Sequence, residues 1–189
     1  MNKIQTLAEY QQLASRTCPD LGIELNIMHM KLGIITEIGE TLDIFKKNLA
    51  YNKPIDMVNL GEELADILWY VVNEAAFNKL SITILNEPLY GYVEKHTEQE
   101  RIYDTCIYLM TYLSHREQYN SQKLINILQQ ICAIWEIDFF QILTNNIAKL
   151  QVRYPDKFTN EAALNRDLDA ERKKLEQTGE EVTEKSNVE

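Results

Sequence analysis

Four carboxylates set the chemical expectation for this chain. Glu37 and Glu40 lie three residues apart in I-I-T-E-I-G-E, and Glu63 and Asp66 lie three apart in G-E-E-L-A-D. On an α-helix, residues at that spacing share a face. The positions around them are apolar: Leu32, Ile34, Ile35, Ile38, Leu42, Ile44 and Phe45 near the first pair, and Leu60, Leu64, Ile67, Leu68, Trp69, Val71 and Val72 near the second. A single acidic pair is ordinarily a solvated surface feature. Two pairs on consecutive apolar helices read instead as carboxylates gathered on buried faces. There, repulsion and lost hydration cost on the order of several kcal/mol per ion unless a cation compensates. No Arg or Lys stands within one turn of either pair on the same face. A donor set made only of oxygen suits a hard divalent cation, Mg²⁺ or Mn²⁺.

The order E-x-x-E, a spacer, then E-x-x-D resembles the metal motif of the all-α nucleoside triphosphate pyrophosphatases, the MazG-like family. Longer stretches carry the same likeness: H-M-K-L-G-I-I-T-E-I-G-E-T-L-D-I-F-K-K, N-L-G-E-E-L-A-D-I-L-W-Y, and later N-N-I-A-K-L-Q-V-R-Y-P-D-K-F with A-L-N-R-D-L-D-A-E-R. Together these cover about residues 24–79 and 137–176. Thr36 departs from the pattern, since the family often has a second glutamate there, and it lowers the local charge.

The resemblance implies a Mg²⁺-dependent hydrolase that converts a nucleoside triphosphate to the monophosphate and pyrophosphate. Glu37, Glu40, Glu63 and Asp66 would hold the metal, and Glu37 or Glu63 would take the proton from the attacking water. The F-K-K likeness points Lys47 at phosphate, and Asn146, Lys149 and Arg153 are expected to reach the triphosphate. For Lys149 and Arg153, cations complementing a helix C-terminus are the competing explanation. Related all-α folds cleave dUTP, dCTP or phosphoribosyl-ATP, so the base stays open. Two rivals are a nucleotide-binding helical module without turnover and a di-iron carboxylate bundle; the latter class uses Glu-x-x-His pairs, and this chain has none.

On helical wheels, His29, Gly33, Glu37, Glu40 and Lys47 share one band, and Asn59, Glu63, Asp66, Tyr70 and Asn73 share another. An antiparallel pairing with Glu37 near Asp66 sets His29 toward Asn73 and Lys47 toward Asn59. A nucleotide fits along that groove with its phosphates on the metal, which makes His29, Lys47, Tyr70 and Asn73 candidate substrate contacts. Gly39, between the two glutamates, reads as a point of close helix approach.

The elements that must position these residues are all helical. Periodicity predicts helices over 3–16, 24–50, 55–79, 98–118, 122–135, 138–154 and 160–176, the last with Thr159 as N-cap. Asn52 to Pro54 makes the turn of an antiparallel hairpin. Residues 81–95 read as a loop broken at Pro88 and Gly91, and about 81–135 looks like an inserted helical hairpin. The expected architecture is one all-α domain over 1–176, a helical bundle of the pyrophosphatase type. The polar, acidic stretch 177–189 reads as a disordered tail.

The chain has 189 residues and a net charge of −10, with a pI near 4.9. One domain accommodates that length. The acidity argues against nucleic acid or an anionic membrane as partner, because both need basic patches. Cys18, Cys106 and Cys132 are far apart without C-x-x-C spacing, and no apolar run is long enough for a bilayer. The protein is therefore expected in the cytoplasm with reduced thiols. The hairpin over 24–79 is apolar on more than one face. A homodimer or higher homo-oligomer would complete the bundle, unless the inserted helices do so within one chain.

Overall fold

The computed structural model describes residues 2–84, 96–115 and 120–183, with side chains described only up to Glu176 beyond α7. Among these residues the fold is all-α, with eight helices in chain order: α1 Leu7–Ser15, α2 Ile23–Tyr51, α3 Met57–Phe77, α4 Glu98–Ser114, α5 Ser121–Ile134, α6 Phe139–Arg153, α7 Asn160–Leu164 and α8 Leu168–Thr183. No helix among them is long and apolar enough to cross a membrane.

The centre of the bundle is α3, whose apolar residues recur on nearly every side. Leu60, Leu64, Ile67, Leu68, Val71, Val72 and Ala75 are all buried, and α1, α2, α5, α6 and α8 pack against it. The expected hairpin forms between α2 and α3. Asn52 ends α2 in the left-handed region at φ 51°, a conformation asparagine tolerates. Asp56 then caps α3, accepting from the backbone of Val58 and Asn59. The close approach falls at Gly33 rather than Gly39. A methyl group on Gly33 would overlap the ring of Tyr70, whereas nothing lies within 4 Å of one on Gly39.

Helices α4 and α5 cover one flank of the hairpin. Trp135, at the end of α5, stacks on Phe45 of α2 with ring centroids 5.5 Å apart and planes 12° apart. Its indole N–H donates to Thr105 of α4 at 2.9 Å. A capping box between Thr97 and Glu100 starts α4. The expected helix over 98–118 ends at Ser114; residues 116–119 of that expectation lie outside the described ones, as do 85–95 of the expected loop.

The C-terminal region departs from the expected single helix over 160–176. Asn165 turns its amide back to the carbonyl of Glu161, and Asp167 accepts from the backbone N–H of Ala170, so one short polar segment ends α7 and caps α8. Thr159 caps α7 as its position suggests. Helix α8 then continues to Thr183, past the point where a disordered tail was expected to start at 177; residues 184–189 lie outside the described ones.

Candidate metal centre

Helices α2 and α3 bring Glu37, Glu63 and Asp66 together, with one carboxylate oxygen from each lying within 4.8 Å of the others. Glu40 is not in that group of three. It is exposed on α2 and lines the cavity beside it, close enough that its charge acts on both Glu37 and Glu63. The cavity has a volume of about 540 Å³. A second one of about 530 Å³, bordered by Thr36, Gly39, Asp43 and Lys47, adjoins it across Glu40, Asn59 and Glu63.

The acids do not share one electrostatic state. Burial, then the charges of Asp66 and Glu40, push Glu37 up to about 7. Burial and the neighbouring Asp66, Glu40, Glu37 and Glu62 push Glu63 up to about 8. The two glutamate carboxylates stand in the same cluster as Asp66, and neither forms an ion pair with a Lys or Arg among the described residues. Asp66 is compensated instead. Lys149 of α6 donates to its two oxygens at 2.8 and 2.6 Å, and Asn146 Nδ2 donates at 2.6 Å.

Lys149 also meets Glu62 at 3.0 Å and is only 1% exposed. Burial alone would lower its pKa, but Asp66 and Glu62 outweigh it and the net shift is upward. Asn146 is fixed from behind by the buried hydroxyl of Tyr10, which donates to its Oδ1 at 2.9 Å and also lies 3.2 Å from the carbonyl of Ala65. Lys149 and Asn146 thus orient an acid of the cluster, and neither is among the residues that line the cavity of about 540 Å³.

The remaining candidates divide. His29 and Tyr70 line the cavity, edge to face with centroids 5.8 Å apart, and Nδ1 of His29 is buried without a hydrogen-bond partner. Burial lowers the His29 pKa and, with Glu37 and Asp66, pushes the Tyr70 hydroxyl up to about 12. Lys47 faces Asn59 across the second cavity, as the antiparallel pairing implies, but its ammonium pairs with Asp43 at 2.6 Å. Asn73 lies away from the cavity. It is 1% exposed, donates to the carbonyl of Trp69 and accepts from Ser15, so it joins α3 to α1.

Arg153 lines the cavity while paired with Glu171 of α8. Several contributors receive no role from the sequence alone, although Arg166 and Glu171 lie in the A-L-N-R-D-L-D-A-E-R stretch that carries the family likeness. Glu62 is four residues before Asp66 and so shares its α6-facing side. Tyr10, Arg166 and Glu171 come from elements whose approach no helical wheel reveals.

The donor set fits the expected cation. Among the described residues three carboxylates converge, the two most perturbed are those without an ion-paired Lys or Arg, and no cysteine lines the cavity. Comparisons with protein-family models, with characterised proteins and with solved structures find no match to the chain.

Proposed function

We propose that this protein is a Mg²⁺-dependent nucleoside triphosphate pyrophosphohydrolase, splitting a nucleoside or deoxynucleoside triphosphate into the monophosphate and pyrophosphate. One observation carries the reading: a single cavity has three converging carboxylates on one wall and the guanidinium groups of Arg153 and Arg166 on another. A cation bound to a polyanion matches both walls at once. Mn²⁺ could substitute, since the donors are oxygen only.

Glu37, Glu63 and Asp66 are the residues that would hold the ion, with Glu40 at the edge. Bound Mg²⁺ supplies charge neutralisation to phosphate oxygens and acidifies water. Glu37 and Glu63, neighbours in the cluster, are the candidates to take a proton from water near the α-phosphorus. Lys149 and Asn146 hold Asp66 in place. His29 and Tyr70 present an aromatic edge and an unpartnered ring nitrogen to the cavity, which suits a base or sugar.

The same reading places the protein in the cytoplasm as a homodimer or higher homo-oligomer. Leu25, Met28, Leu32 and Ile35 are all exposed, at steps of three and four residues along α2, and a second copy of that face would cover them. The test of function is pyrophosphate release from a panel of canonical nucleotides. Release from at least one in Mg²⁺, and none in EDTA, is expected; no release from any nucleotide would end the proposal.

A further inference from the structure

The part of the cavity lined by Arg153 and Arg166 is organised around Glu171. Its side chain is 3% exposed. It accepts from Arg153 Nε at 2.9 Å and Nη2 at 2.5 Å, and from Arg166 Nη2 at 2.8 Å. Arg153 ends α6, Glu171 lies in the first turn of α8, and Arg166 sits in the short link between α7 and α8. Three segments thus meet on one carboxylate. Burial pushes the Glu171 carboxyl up, but the two arginines outweigh it and hold it at about 2, so it is charged at any physiological pH.

Two guanidiniums on one carboxylate leave a positive charge over. Arg166 carries it most accessibly: it is 40% exposed, lines the cavity, and meets no second carboxylate among the described residues. Without Glu171 the two like charges would repel, so the buried acid holds them side by side. Tyr70 lines the same cavity, and its hydroxyl is acted on by the charges of Glu37, Asp66 and Arg153 together. A planar guanidinium matches phosphoryl oxygens in a way an ammonium does not.

We infer that Arg166 contacts the ligand's anion, seating with Arg153 the pyrophosphoryl end of a polyphosphate, and that Glu171 is the positioning residue that pairs them. The identity of the anion rests on the proposed nucleotide reading; the seat itself rests on the cavity. Arg153 is fixed by a bidentate contact and Arg166 by a single one, so Arg166 is the group with freedom to adjust to the ligand.

The test uses the full chain and inorganic pyrophosphate with Mg²⁺ in titration calorimetry, beside steady-state kinetics. Arg166→Ala is expected to weaken pyrophosphate binding about 10-fold or more, the scale of one charge-assisted contact. It should raise KM more than it lowers kcat, and leave the thermal shift caused by Mg²⁺ alone as in wild type. Arg166→Lys should recover part of the loss. Glu171→Gln should weaken pyrophosphate in the same way with the Mg²⁺ shift retained. Should that variant fail to fold, the Arg166 pair still decides the matter.

Wild-type pyrophosphate affinity and KM in Arg166→Ala would overturn the inference and leave the nucleotide reading standing. Arg166-dependent pyrophosphate binding with no nucleotide hydrolysed would do the reverse. A wild-type protein that neither binds pyrophosphate nor hydrolyses nucleotides would overturn both.

Discussion

The two walls of the cavity are built to opposite charge ratios. On the acid wall stand Glu37, Glu62, Glu63 and Asp66 with one ammonium, Lys149, whose ion pairs are to Glu62 and Asp66. On the basic wall two guanidiniums face one carboxylate. At exposed sites unequal ratios are tolerated because water screens them: Asp43 takes both Lys46 and Lys47, and Arg172 meets both Asp56 and Glu176. Around a buried cavity a network whose only task was to hold helices together would be expected to balance, because each uncompensated charge near the interior is destabilising. Here each wall lacks the counter-charge that a cation–polyanion complex brings.

That comparison can be broken from the acid side first. Glu63→Gln should reduce Mg²⁺-dependent turnover by about 100- to 10,000-fold, the range for loss of a proton-transferring group, and it should raise the melting temperature of the metal-free protein by removing one repelled acid. A variant that turns over normally, or that melts lower without metal, would mean that the acid wall is not the centre. Lys149→Met separates the compensated acid from the others. Removing one partner of a buried pair costs about 3–5 kcal/mol, and Lys149 is almost fully buried. Urea unfolding should show a loss of that order, which Asp66→Asn in the same chain partly restores. A loss under about 1 kcal/mol, as for a surface pair, would contradict the role of Lys149 in holding Asp66.

The smallest expected effect is on pH dependence. The folded-state values of Glu37 and Glu63 lie above the usual 4.5, at about 7 and about 8. Between 4.5 and those values the folded protein keeps protons that the unfolded chain has released. The metal-free protein should therefore lose stability as pH rises through that window. His29 has a lowered value and acts in the opposite sense below its usual 6.5, so the fall should be clearest from about 6.5 to 8. Mg²⁺ competes with those protons and should flatten it. Melting temperatures in EDTA that rise across the same interval would contradict the shared, uncompensated state of the two glutamates.

The hairpin and its acids were legible because both motif pairs lie on long periodic helices, where spacing alone sets the face. Glu37, Glu63 and Asp66 meet on that basis. Glu40 stands apart because its position on α2 points it toward solvent. Lys149 was expected on phosphate, yet it comes from a helix more than eighty residues later in the chain, and a helical wheel shows no neighbour on another element. Asn73 was misread for the same reason: its stripe position is correct, but α1 covers it. The break between α7 and α8 follows from Asn165 and Asp167, whose local hydrogen bonds compete with a helix that the apolar spacing would allow.

The most direct measurement is calorimetric titration of the metal-free protein with Mg²⁺, with pyrophosphate, and with each in the presence of the other. If the two walls each lack a counter-charge of opposite sign, each ligand should tighten the other by the same factor, at least about 5-fold. Independent binding of the two, or pyrophosphate bound as tightly in EDTA as in Mg²⁺, would contradict the account.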